Sequence, residues 1–337
     1  MTPLKRYFIN KALWYCLTLL IAVMLNFFLP RMIKGNPVEA MMAELNTGMM
    51  DSDSKKKLYE TFNKEFGLDK PLITQFFIYT GNLLHGDLGT SFGMYPKKVE
   101  RIIAGAIPWT IALQLPAILL GWLLGNALGA IVAYRKGILD KVFFPVSLFI
   151  HSIPFFALSI ILLYLLAVEL SWFPVGGGYA YELIPSLNFR FISSVIYHYW
   201  LPFLSIFIVL IGGQAIGMRS MAIYELKEDY VLYSKLMGVK DRKIISYVFK
   251  NGMLPQITGL SLSIGVMVAG ALITEIVFNY PGIGSLLFKA IRQLDYPLIS
   301  GCTLLITCSV IAANFCIDML YGLLDPRIKA AQLEEAS

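Results

Sequence analysis

Residues Ile107–Tyr134 read IPWTIALQLPAILLGWLLGNALGAIVAY, a run without a single Asp, Glu, Lys or Arg. A helix rising 1.5 Å per residue needs about 20 such residues to cross the hydrocarbon of a bilayer. A water-soluble core has no room for a run of this length. Five more apolar stretches flank it: Ala12–Pro30 before it, and Val142–Val168, Tyr199–Met218, Pro255–Tyr280 and Ile299–Leu324 after it. The whole chain agrees, with 337 residues that are 57% hydrophobic and 15% charged and a mean hydropathy of +0.66, against about 45–50% apolar and about 25% charged in soluble domains. A disordered tail, a secreted disulfide scaffold and an ordinary cytosolic enzyme are excluded. The expected fold class is an all-α integral membrane protein with six transmembrane helices. Within the opening stretch Ala117, Gly121, Gly125, Gly129 and Ala133 recur every four residues on one helical face. Such a stripe lets a second helix backbone come close, either in this chain or in a second subunit.

Basic residues set the orientation, because Lys and Arg accumulate in cytoplasmic loops. With the N-terminus inside, Lys5, Arg6 and Lys11 precede the first span, three basic residues fall in Arg135–Lys141, seven in Arg219–Lys250, and Arg327 and Lys329 follow the last. The short external loops carry only Arg190, Lys289 and Arg292. Both termini are therefore expected in the cytoplasm. Phe27-Phe28-Leu29-Pro30 is followed by no small-x-small cleavage pattern, so the first span reads as an uncleaved anchor. The organisation expected is a tail and first helix over 1–30, an extracytoplasmic segment over 31–106, a five-helix core over 107–324 with a cytoplasmic connection at 219–254, and a cytoplasmic tail over 325–337.

The external segment reads as folded. Leu58, Phe62 and Phe66 line one side of a short helix that follows Asp51-Ser-Asp-Ser54, Gly67-Leu-Asp-Lys-Pro71 stops it, and a second helix is expected near Leu72–Leu84. Gly86-Asp-Leu-Gly-Thr-Ser91 reads as a turn. The net charge of +6 is spread between apolar runs and forms no face for nucleic acid. Cys16, Cys302, Cys308 and Cys316 lie in apolar runs and read as buried hydrophobes; with His85, His151 and His198 scattered, no metal-ligand spacing appears. No catalytic residues are assigned. Aromatic residues crowd the connection Glu169–His198, as expected of a belt at the membrane interface.

The connection Arg219–Leu254 is far longer than two neighbouring helices need. Glu225-Leu-Lys-Glu-Asp-Tyr230 opens it with acids suited to a helix N-terminus, and Val231-Leu-Tyr-Ser-Lys-Leu-Met-Gly238 ends on a glycine able to close the helix. Tyr230, Tyr233, Ser234 and Met237 share one side of it. A second helix is expected over Ile244–Lys250, broken before Leu254-Pro255. The basic loop suits anionic lipid head groups; its apolar and aromatic cluster suits insertion into a groove on a soluble partner.

These residues resemble the coupling loop of ABC importer permeases of the oligopeptide/dipeptide type, through Glu228–Val239 and Lys250-Asn-Gly-Met-Leu-Pro255. Six other stretches match in order: Lys34-Gly-Asn-Pro-Val38, Gly67–Pro71, Gly86–Ser91, Thr274-Glu-Ile-Val-Phe-Asn-Tyr-Pro-Gly-Ile-Gly284, Asp295-Tyr-Pro297 and Leu324-Asp-Pro-Arg327. Leu232-Tyr-Ser234 stands where many such permeases carry Glu-Ala-Ala, and Asn36 where an aspartate is usual. The resemblance implies a type I permease fold in the inner membrane of a prokaryote. It also implies a second homologous permease subunit, two cytoplasmic ATPase subunits that bind the ATP and Mg, and an extracytoplasmic solute-binding protein delivering peptides or oligosaccharides. No cofactor is expected in this chain, which lacks Gly-x-x-x-x-Gly-Lys-Ser/Thr. The coupling residues implied are Glu228, Asp229, Tyr230, Tyr233, Ser234, Met237, Gly238 and Val239.

Two acids, Glu275 and Asp318, fall at membrane depth, where a charge costs roughly 2.5–3.5 kcal/mol. Glu275 precedes Tyr280-Pro-Gly-Ile-Gly284, where a broken helix bends toward the mouth of a pathway. Glu275, Tyr280, Gln214 and Arg219 are the pathway candidates. An ion-coupled secondary transporter is the alternative, disfavoured by the absence of visible repeats and of paired intramembrane charges.

Overall fold

The computed structural model describes residues 3–44, 51–135, 137–265 and 272–324. Among them the architecture is helical: α1 (Pro3–Arg31), α2 (Pro37–Glu44), α3 (Ser52–Glu65), α4 (Leu72–Leu84), α5 (Val99–Arg135), α6 (Gly137–Ser152), α7 (Phe155–Leu162) running on into a π-helical turn (Leu163–Glu169), α8 (Phe189–Glu225), α9 (Asp229–Leu236), α10 (Asp241–Gly265), α11 (Leu272–Val277), α12 (Ile283–Arg292) and α13 (Tyr296–Leu324). Among the described residues four stretches are single helices long and apolar enough to cross a membrane, Asn10–Arg31, Val99–Arg135, Phe189–Glu225 and Tyr296–Phe315; α6 with the helix that follows it makes a fifth, bent one, if that pair is one span. Within the expected span Pro255–Tyr280, α10 covers residues 255–265 and α11 covers Leu272–Val277; residues 266–271 lie outside the described residues, as does the tail 325–337.

The chain divides into two bodies, Met1–Pro108 with Gly282–Ser337, and Trp109–Pro281. In the first, α1 and α13 pack together: Ser300 Oγ donates to the Asn26 carbonyl at 2.8 Å, and Tyr15 meets Phe315 edge to face. The expected α3 forms with Asp51 as its N-cap, accepting from the Ser54 N–H at 3.1 Å. Phe62 is buried with Val38 and Met41 from α2, and Leu58 and Phe66 pack around them. Asn36 accepts from the Val38 N–H at 3.0 Å and donates to the Tyr59 hydroxyl at 2.7 Å. An aspartate there caps equally well but lacks that donor. The Gly86–Ser91 turn is held by Asp87, which accepts from the Gly89 N–H and pairs with Lys98. Asp295 is fully buried against it, accepting from Ser91 Oγ and from the N–H groups of Gly93 and Leu298.

In the second body the small-residue stripe of α5 packs on α8 of the same chain, which settles the choice the sequence left open. A Cβ on Gly125 would stand 2.7 Å from the Ile211 carbonyl oxygen, and one on Gly129 2.4 Å from that of Ala215. The two backbones are in contact, as in close-packed membrane helices.

Three expectations need correction. The stretch Val142–Val168 is not straight: it bends by 96° between α6 and α7. Pro154 has no N–H and its ring collides with the preceding turn, so the helix restarts with Ala157 and Leu158 donating to the Pro154 carbonyl. Pro255, by contrast, does not break its helix, and α10 runs through it for 25 residues. α10 packs on α8, and Trp122 Nε1 donates to the Gln256 carbonyl at 2.8 Å, so neighbouring helices hold it on both sides of the proline. Finally, Cys302 is buried, but Cys16 and Cys308 are exposed on their helices. The apolar surroundings that their sequence context predicts come at those positions from outside the chain.

Candidate functional site

One end of the second body gathers the turns after α5 and α8. Arg219, near the end of α8, makes two bonds to the Asp140 carboxylate of α6, 2.5 Å from Nε to Oδ1 and 2.8 Å from Nη2 to Oδ2, and lies over the Phe144 ring at 4.3 Å. Tyr134 at the end of α5 donates to Asp241 at the start of α10 at 2.6 Å. Ala133, Ala222, Val231, Ile244 and Val248 are buried together there, with Tyr134, Ile223, Leu226, Tyr230 and Val239 packed around them.

Helix α9 hangs on this cluster. At eight residues it cannot hold its shape alone, and Val231 is the residue it buries. The Glu228 carbonyl accepts from the Val231 N–H at 3.0 Å, and Asp229 lies in the first turn, where the helix dipole favours a carboxylate. Tyr230 donates to Glu225 at 2.9 Å; burial, helped by that carboxylate, pushes the phenol up to about 12, so it stays a donor at physiological pH. The helix closes as the glycine predicts. Gly238 has φ +72°, its N–H donates to the Lys235 carbonyl at 3.0 Å, and Val239 N–H donates to that of Ser234 at 3.0 Å, the paired bonds of a Schellman motif. A Cβ on Gly238 would meet nothing within 4 Å. Glycine is needed there for the backbone angle and not for space.

The eight residues singled out in the sequence therefore divide. Tyr230 and Val239 face inward, Ser234 is half-buried and serves the cap, and Tyr233 and Met237 face outward at 64% and 81% exposure. Tyr230 does not share the outward side, as its spacing had suggested, because the Glu225 bond turns it toward α8. The sequence reading missed Leu232 and Leu236, which are 57% and 75% exposed and complete an apolar arc with Tyr233 and Met237. The signal was present: two adjacent pairs four residues apart on an eight-residue helix. The arc stands in front of the buried cluster that joins α9 to the ends of α5, α8 and α10.

The pathway candidates do not converge. Arg219 is held at the ion pair described above. Gln214 accepts from Asn126, which is fully buried, at 3.4 Å. Tyr280 is buried at the other end of the body, edge to face on Trp109 at 5.6 Å. It follows the break expected after Glu275: Asn279 has φ +45°, and the Phe278 carbonyl accepts from the Gly177 N–H at 2.8 Å. Glu275 is fully buried in α11, its backbone carbonyl accepting from the Tyr280 N–H at 2.8 Å.

The structure adds a feature that spacing does not reveal. Ser159 Oγ lies 3.0 Å from Ser205 Oγ and 3.2 Å from Thr274 Oγ1, a buried hydroxyl cluster joining α7, α8 and α11. Beside it, at the 96° bend, lies a cavity of about 490 Å³ bordered by His151, Pro154, Phe156, Val209, Ile273 and Thr274. A helix bend and a polar cluster at membrane depth are where helices interrupt their own hydrogen bonding to make room.

Residues 125–330 match the family of binding-protein-dependent transport system inner membrane components. The chain belongs to that family. The permease is 34% identical over 322 residues to the di/tripeptide transport system permease protein DppB of Pseudomonas aeruginosa, covering 91% of this chain and 93% of that one. It is 30% identical over 325 residues to the glutathione transport system permease protein GsiC of Pectobacterium atrosepticum (96% and 98%). It is also 30% identical over 328 residues to the oligopeptide transport system permease protein AppB of Bacillus subtilis (96% and 99%). The permease is thus a multi-pass inner-membrane transport component of an ABC importer and not an enzyme, and ATP is hydrolysed on separate subunits. It works with an ATPase and a solute-binding protein. Nothing in these relatives supports the ion-coupled alternative or oligosaccharide transport.

Proposed function

We propose that this permease forms half of the translocation pathway of a peptide importer. Six spans place both termini in the cytoplasm, a second, similar permease supplies the other half, and two ATPase subunits dock on the cytoplasmic side. The observation that carries the reading is the exposed arc Leu232, Tyr233, Leu236 and Met237 on a helix clamped to three long helices. The end of the body bearing α9 holds the basic stretches Arg135–Lys141 and Arg219–Lys250, whereas the opposite connection Glu169–His198 holds only Arg190, which favours the cytoplasm for α9.

In this reading α9 seats in a cleft of the ATPase. Closure of the nucleotide-bound ATPases displaces α9, and the clamp passes that displacement to α5, α8 and α10 as rigid rods, so that outward and inward openings alternate. The chain itself binds no nucleotide. Peptides or glutathione are the cargo by analogy with the relatives named above.

The test is uptake into proteoliposomes holding the assembled transporter, with its binding protein outside and labelled dipeptide, glutathione or maltotriose as solute. Peptide or glutathione accumulation that needs both internal ATP and the binding protein is expected. Accumulation without ATP refutes the coupling, and accumulation of maltotriose alone refutes the cargo.

A further inference from the structure

We infer that α4, within the segment that the sequence assigns to the aqueous exterior, is immersed in the lipid leaflet beside the Arg31 end of α1. The inference requires only that α1 crosses the bilayer. Over its 13 residues, LITQFFIYTGNLL, α4 has no ionisable group except a tyrosine, and it has no buried residue. Ile73 and Phe77 are 65% and 68% exposed on one side of it, with Leu84 further along. The neighbouring α3 contrasts with it in both respects. It carries Lys55, Lys56, Lys57, Glu60, Lys64 and Glu65 and turns its apolar side onto α2.

What places α4 in lipid is where it is fastened. Phe76 packs on Phe27 and Phe28 at ring distances of 5.2 and 5.7 Å, Tyr79 on Phe27 at 5.4 Å, and Gln75 accepts from Arg31 Nε at 3.3 Å. Phe27 and Phe28 precede Arg31 by four and three residues, which sets them about 5 Å deeper along the span. At that level α1 itself exposes Leu25 and Leu29, so the helix to which α4 is fastened presents an apolar surface at the same depth. The flanking cations, Lys70 before α4 and Arg31 and Lys34 after α1, stand where lipid phosphates lie. A helix about 20 Å long cannot span a hydrocarbon layer of about 30 Å. It lies in the boundary region, as apolar interfacial helices do.

The experiment places a nitroxide at Ile73→Cys and, separately, at Phe77→Cys of the assembled transporter in nanodiscs, with the native cysteines replaced. Collisions are read with molecular oxygen and with a nickel chelate. Leu20→Cys on the exposed side of α1 and Lys56→Cys on α3 are the references. Immersion predicts that the oxygen-to-chelate ratio at both positions rises about tenfold over that at Lys56 and approaches that at Leu20, because a polar chelate is excluded from hydrocarbon. A chelate-dominated ratio means water and overturns the inference. Low collision rates with both agents mean a protein partner covers the face, and overturn it equally. If a labelled variant does not assemble, quenching of Phe77→Trp by brominated lipid chains, above the quenching of the unsubstituted protein, decides in its place; no added quenching refutes immersion.

Discussion

Truncating Leu236 and Met237 together to alanine tests the coupling reading most directly. Both side chains are largely exposed on α9, and neither belongs to the buried cluster that holds the helix. Each substitution removes three heavy atoms beyond Cβ. At about 0.8 kcal/mol per buried methylene, complete burial in a partner makes each truncation worth about 2 kcal/mol and the pair about 4, roughly a thousandfold in affinity. Burial of half that surface still leaves about 2 kcal/mol, roughly thirtyfold. The permease alone should keep its stability to within about 0.5 kcal/mol, since exposed positions outside a packed feature seldom contribute more. The assay titrates purified ATPase onto the permease in nanodiscs, with melting of the permease measured alongside. A loss of affinity below about threefold, where the truncations are worth less than 1 kcal/mol, refutes α9 as the docking element. A lowered melting temperature in the absence of ATPase refutes the division of α9 into outer arc and inner anchor.

Other perturbations probe the frame. Gly238→Ala adds a methyl group to open space but forces an L-residue to φ +72°, so it should cost about 1–2 kcal/mol and loosen the end of α9 while the apolar arc stays intact; proteolysis at Lys240 and Lys243 reads the loosening. Gly129→Ala drives a Cβ into the Ala215 backbone, whereas Gly105→Ala on the same helix meets nothing. The first should destabilise by about 1–3 kcal/mol and the second should be neutral or stabilise by up to about 1 kcal/mol, compared by thermal melting in one detergent. Asp295→Ala strands the donors of Ser91, Gly93 and Leu298; a loss of about 1–3 kcal/mol per unsatisfied group should appear as faster trypsin cleavage at Lys97 and Lys98.

Much of the segment between the first two long apolar helices was legible because its signals are local. Asp51 three residues before Ser54, the four-residue recurrence of Leu58, Phe62 and Phe66, and the stop at Gly67 each act within one helical turn, and the helices at Ser52–Glu65 and Leu72–Leu84 follow from them. The termination of α9 at Gly238 was legible for the same reason. The faces of α9 were not. The helix is too short for its period to outvote a single tertiary bond, and Tyr230 follows Glu225 inward.

By itself, the sequence determined that this chain lives in a bilayer, that α5 offers a stripe for close packing, and that a basic connection carries a glycine-ended helix. Those properties depend on transfer of side chains from water and on backbone angles that each residue carries wherever it sits. Only the tertiary structure decided that the stripe meets α8 in the same chain, that Pro154 bends its span while Pro255 does not, that Arg219 is held by Asp140, and that Ser159, Ser205 and Thr274 share one buried cluster. A proline costs every helix the same hydrogen bond, but whether the helix survives depends on what neighbours restore. Those neighbours are scores of residues away along the chain and are brought close only by packing.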